Sequence, residues 1–107
     1  MTTVFDRAHF DQMTGADRGL QAEISSLFRM QVEGWSSAIA AVPGPGWREA
    51  IHTLKGSARG IGLNALAAAC EDAETTPEGR CADALQAVRA ALDEALAALN
   101  HFAAGPS

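Results

Sequence analysis

The sequence predicts an all-α domain, an antiparallel four-helix bundle with a short additional N-terminal helix. Three observations carry this. Alanine and leucine dominate while β-branched and aromatic residues are few, a bias toward helix over sheet. Apolar residues recur at helical rather than alternating spacing through most of the chain. The breaks between the periodic segments are short and built from glycine, proline and threonine, which favours antiparallel neighbours. The chain has 107 residues, enough for one core and too few for two. Its 48% apolar content argues against disorder over most of the length.

Residues 1–5 read as an extended, mobile lead-in. Asp6 reads as the N-cap of a first helix reaching about Met13, with Phe5 and Phe10 forming a hydrophobic staple. Thr14-Gly15 breaks that helix, and a second begins near Ala16 or Asp17. Leu20, Ile24, Leu27, Phe28, Trp35, Ile39 and Val42 mark its inward stripe, and Pro43-Gly44-Pro45-Gly46 ends it by Val42. Pro45 suits the first position of a third helix, in which Trp47 joins Leu54 and Ala58 as a core anchor. This helix is expected to stop near Arg59, with Gly60 taking the left-handed closing conformation.

Leu63, Leu66, Cys70 and Ala73 mark a fourth helix ending near Glu74, with Asn64 or Gly62 as its cap. Thr75 to Gly79 forms a turn in which Thr76-Pro77 resembles a cap and a first helical residue. From about Arg80 to Phe102 the last helix puts Leu85, Val88, Leu92, Leu96, Leu99 and Phe102 on one side. Residues 103–107 read as a frayed, mobile tail.

Several function classes fall away on composition. A net charge of −5 gives no broad basic face for nucleic acid. No apolar run is long enough to span a membrane. The opening residues lack the apolar run of a signal peptide, so the cytoplasm is the expected location, with Cys70 and Cys81 as free thiols. Gly60-Ile61-Gly62-Leu63-Asn64-Ala65 fits a dinucleotide fingerprint in letters alone, because a helix rather than a strand precedes it. Neither a phosphate-cradling glycine loop beside a strand nor His/Glu spacing for a metal is evident, which removes kinases and metal-dependent hydrolases.

The chemistry-bearing stretch is the third helix. Ile51, Leu54 and Ala58 fall on one of its faces, and His52, Lys55, Gly56 and Arg59 fall on the other. That second face combines a titratable imidazole with a small basic patch and a glycine one turn past the histidine. Glycine inside a helix costs about 1 kcal/mol relative to alanine, and what it offers in return is bare space beside His52. Neutral imidazole is available near pH 7 and can attack an acyl phosphate through a ring nitrogen. Ser57 points away from this face, and Cys70 and Glu74 read as structural. Gln31 or Arg29 of the second helix are candidates to reach it. His9, His101 and Cys81 lack comparable surroundings.

The run His52-Thr53-Leu54-Lys55-Gly56-Ser57, followed by Gly62, Leu66, Cys70 and Glu74, is similar to the histidine-containing phosphotransfer (HPt) family. It departs at Leu63, where alanine is usual in that family. Thr53 also stands where the dimerisation helix of a histidine kinase usually carries an acidic residue. The resemblance implies a monomeric phosphorelay intermediate that passes phosphoryl groups between receiver-domain aspartates and has no kinase activity of its own. By it, His52 is phosphorylated, Lys55 supports the phosphoryl group and Gly56 leaves docking space; Arg59, by its charge, is expected to attract an acidic partner. The implied partners are response-regulator receiver domains and a hybrid histidine kinase, not nucleic acid or membrane. The chain then needs no cofactor, the divalent metal belonging to the receiver. The alternative is a helical module that binds a receiver or sensor kinase without being phosphorylated.

Overall fold

The computed structural model describes residues 3–35 and 46–104 of the chain. Among them lie α1 (Arg7–Thr14), α2 (Arg18–Trp35), α3 (Trp47–Ile61), α4 (Asn64–Glu74) and α5 (Cys81–Ala104), with a 3-10 turn at Glu78–Arg80 before α5. Together they form the expected bundle with its short leading helix.

Asp6 caps α1 by accepting from the His9 N–H at 3.0 Å. The Phe5 and Phe10 rings meet at 5.5 Å, and both lie edge-on to Phe102 of α5, at 5.3 and 5.6 Å. This aromatic cluster joins the two ends of the described chain. Gly15 closes α1 at φ +63°, and Asp17 caps α2 by accepting from the Leu20 N–H at 3.1 Å. Asp17 is therefore the residue before α2 and not part of it.

The inward face of α2 is rotated from the expected stripe. Gln21, Ser25 and Phe28 are buried and Val32 is half-buried, a line at i, i+4, i+7 and i+11. Leu20 is exposed, and Leu27 keeps 58% of its surface in solvent. The physical reason lies on α1. Gln21 Nε2 donates to Asp11 Oδ1 at 2.8 Å and to Thr14 Oγ1 at 2.9 Å, so a polar side chain occupies a core position with its donors satisfied. The parts of the stripe on Ile39, Val42 and the Trp35 side chain lie outside the described residues, as do the Pro43–Pro45 break and the role expected of Pro45.

Trp47, Ile51, Leu54, Ala58 and Ile61 form the buried stripe of α3. The helix runs past Arg59 and Gly60 to Ile61, because the two added residues bury that side chain. Gly62, not Gly60, closes it at φ +96°, its N–H donating to the Ala58 and Arg59 carbonyls. Leu63 N–H also bonds Ala58 O at 2.8 Å, which completes a Schellman motif. Leu63 is fully buried and links α3 to α4 as a tight antiparallel hairpin. Neither Asn64 nor Gly62 caps α4: Leu63 holds the cap position without a side-chain bond. A lead-in carbonyl takes over instead, Thr3 O accepting from the Ala65 N–H at 2.9 Å, while Asp6 N–H donates to Gly62 O at 2.8 Å.

On α4, Leu66, Ala67, Cys70 and Ala73 face inward. Burial, then the nearby Glu74 carboxylate, pushes the Cys70 thiol up to about 12, so it is a protonated core group. Cys70 and Cys81 are both free. The turn after α4 tightens through Arg80 N–H to Pro77 O at 2.9 Å, so α5 starts at Cys81 and Pro77 is not its first residue. Leu85, Val88, Leu92 and Leu99 are buried along α5, with Leu96 and Phe102 half-buried. Among the described residues no helix is long and apolar enough to cross a membrane.

Candidate functional site

Burying Ile51, Leu54 and Ala58 turns the opposite face of α3 outward, and His52 presents 73% of its side chain to solvent. The α3–α4 hairpin brings the last residue of α4, Glu74, alongside it. Glu74 Oε1 lies 2.9 Å from His52 Nδ1, and Oε2 lies 2.8 Å from Lys55 Nζ. One carboxylate thus bridges the imidazole and the ammonium. The Lys55 stem is packed down, its side chain only 13% exposed, and the charged end emerges at Glu74.

The bridge fixes protonation states. The hydrogen bond from Lys55, reinforced by that from His52, holds the Glu74 carboxyl below the ordinary carboxylate value. An ionised carboxylate only accepts, so a neutral His52 ring bonded to it carries its proton on Nδ1 and its lone pair on Nε2. A folded-state value below the unfolded one means stability that is present above the unfolded value and lost as pH falls through the folded one. Urea melts of wild type and Glu74→Gln should therefore differ by a gap that narrows as pH drops from about 5 toward 3. A gap constant across that range would contradict the ionised bridge.

Gly56 is helical, and a Cβ added there would meet nothing within 4 Å; the same holds for Gly60. His52, Gly56 and Gly60 follow one another at i, i+4 and i+8, so the surface beyond the imidazole is a bare strip of helix. Arg59 Nη2 lies 3.3 Å from Glu71 Oε2, with both side chains more than half exposed. The expected basic patch is consequently compensated, since acids of α4 pair with both of its cations. Such an exposed pair contributes on the order of 1 kcal/mol or less and leaves Arg59 able to exchange partners.

Ser57 Oγ lies 3.5 Å from Gln31 Oε1, which is where Gln31 touches α3. Arg29 instead bonds Asn100 of α5. The partner that His52 does acquire is Glu74, which the sequence suggested only as structural. The available signal was its position four residues past Cys70, on the α4 face adjoining the inward stripe. Arg48, which bonds the end of α4, had no signal in the sequence. His9 sits by Gly62 at the opposite end of α3, and His101 lies in the last turn of α5. Gly60 and Gly62 belong to a helix and its closing turn, not to a nucleotide-binding loop.

The model of the Hpt domain family matches residues 20–100. The fold is similar to the crystal structure of histidine phosphotransferase ShpA from Caulobacter crescentus, with a TM-score of 0.76 and 34% sequence identity. That likeness covers 94% of this chain and 91% of that one. No curated protein matches the sequence.

Proposed function

The chain belongs to the Hpt domain family, and on that premise we propose that it is a phosphorelay intermediate that carries the phosphoryl group on His52. The observation that carries this reading is the Glu74 bridge, which leaves Nε2 of an exposed imidazole as the available nucleophile.

The Nε2 lone pair attacks the phosphorus of a receiver-domain aspartyl phosphate. A P–N bond forms, the P–O bond to the aspartate breaks, and the aspartate leaves as a carboxylate. The proton stays on Nδ1, so the phosphorylated ring is cationic and Glu74 stabilises it across the 2.9 Å contact. Attack by a second receiver's aspartate reverses these bond changes. Lys55, already at the bridge, offsets the dianionic charge that arrives, which is its role as phosphoryl support. Arg59 supplies an exchangeable cation for an acidic receiver surface. The divalent metal that phosphoryl transfer uses belongs to the receiver in this reading, the phosphate ultimately comes from a hybrid histidine kinase, and the chain works as a cytoplasmic monomer.

Gly56 keeps the strip next to His52 clear for the approaching receiver. Gly56→Gln should slow transfer by about tenfold or more, since small misplacement of reacting groups is costly. The same variant should melt no lower than wild type, because glutamine favours helix over glycine and the site is open. Unchanged transfer in the folded variant would contradict the assignment of space to Gly56. The proposal as a whole is tested by incubating the chain with a phosphorylated receiver domain. Acid-labile, alkali-stable phosphate should appear on the chain, and its absence with competent receivers overturns the reading.

A further inference from the structure

The bridge depends on a residue that is badly placed to hold still. Glu74 ends α4, where helices fray and the last carbonyls lack intrahelical partners. Thr75 Oγ1 and Thr76 Oγ1 bond the Asp72 carbonyl at 3.1 and 2.6 Å, but these contacts lie within the end of α4 and its following turn. They do not fix that end against α3.

Arg48 does. Its Nη1 donates to Glu74 O at 2.6 Å and its Nη2 to Thr76 O at 2.7 Å, so both arms of the guanidinium fork grip the chain at the carboxylate-bearing residue and just beyond it. The guanidinium carbon lies 4.4 Å from the ring centroid of Trp47, which is itself buried in the core. Arg48 is one turn before His52 on the same helix. One helix therefore provides the imidazole, the ammonium, and the anchor for the carboxylate that joins them.

We infer that Arg48 is a positioning residue for phosphotransfer, clamping the end of α4 to α3 so that the Glu74 carboxylate holds the proton of His52 on Nδ1. The rate consequence rests on the phosphorelay reading above; the effect on the imidazole does not. With the clamp loosened, Glu74 leaves Nδ1 for part of the time and the ring is free to carry its proton on Nε2, where it blocks the nucleophile.

The test uses the full chain labelled with ¹⁵N-histidine, in wild type, Arg48→Met and Arg48→Lys. Wild-type His52 should give the nitrogen shifts of an Nδ1–H ring. Arg48→Met should move them toward an Nε2–H ring, and Arg48→Lys, which keeps the charge but not the fork, should fall between. Transfer from a phosphorylated receiver should drop by about tenfold in Arg48→Met, with the lysine variant again intermediate. In a Glu74→Gln background, Arg48→Met should add little further loss, because its effect runs through the carboxylate. Wild-type shifts in either folded Arg48 variant would overturn the inference, as would fully additive rate losses in the double variant. If wild type accepts no phosphate at all, the phosphorelay reading fails, and the nitrogen shifts still decide whether Arg48 sets the tautomer.

Discussion

His52→Gln should acquire no acid-labile phosphate from a phosphorylated receiver, under conditions in which wild type is fully labelled, and should melt within a few degrees of wild type. Glutamine has about the same reach as histidine but no ring nitrogen with an available lone pair, so the P–N bond has nowhere to form. The fold has little stake in the exchange. The side chain is 73% exposed and, among the described residues, its polar contact is to Glu74 Oε1. Losing one exposed contact of this kind costs on the order of 1 kcal/mol or less. His9 and His101 stand as internal controls, since among the described residues neither has a carboxylate and an ammonium arranged beside it as His52 does. Label persisting on folded His52→Gln would transfer the role to another residue and sink the assignment.

Gly62→Ala has the opposite character, a large effect on the fold at a position without chemistry. Gly62 holds φ +96°, where an L side chain is strained, and its added Cβ would sit 2.9 Å from Asp6 O and 3.3 Å from both Asp6 Cβ and His9 Cδ2. The nearest obstacle is backbone, tied down by the Asp6 N–H to Gly62 O bond, so it cannot swing aside as a side-chain tip would. Left-handed backbone alone costs alanine about 1–2 kcal/mol. With displacement of the lead-in added, the total should reach about 3 kcal/mol, a large part of a small domain's stability. Urea denaturation should show the midpoint falling at nearly constant slope. Gly60→Ala is the internal contrast: ordinary helix and open space predict a gain of about 0.5–1 kcal/mol. A loss at Gly62 of under about 1 kcal/mol would contradict the packing described for the α3–α4 junction.

These two glycines also show what could be read from the chain and what could not. The helices, the breaks at Gly15 and after Glu74, the Asp6 cap and the Phe5–Phe10 staple all follow from local rules, because capping and periodicity act within a few residues. The end of α3 does not. Both Gly60 and Gly62 can close a helix, and the choice falls on Gly62 because the longer helix buries Ile61 and meets the lead-in at Asp6. Those contacts are tertiary. On α2, hydropathy pointed to Leu20 and Leu27, but burial of Gln21 depends on acceptors from Asp11 and Thr14 on another helix. Within the site, His52, Lys55 and Gly56 lie on one helical face and were legible from spacing. Glu74 meets His52, and Arg48 the end of α4, across the α3–α4 interface, and both contacts exist only once the hairpin has formed.

In the proposed relay Glu74 holds the His52 proton on Nδ1 and leaves Nε2 to accept phosphate. The isomer of phosphohistidine formed on the wild-type chain decides whether it does. Phosphorylation by a receiver, followed by ³¹P–¹⁵N correlation on the ¹⁵N-histidine-labelled protein, identifies the nitrogen that carries phosphorus. The bridge predicts Nε2-phosphohistidine at His52. Phosphorus on Nδ1, the nitrogen 2.9 Å from Glu74 Oε1, would contradict it.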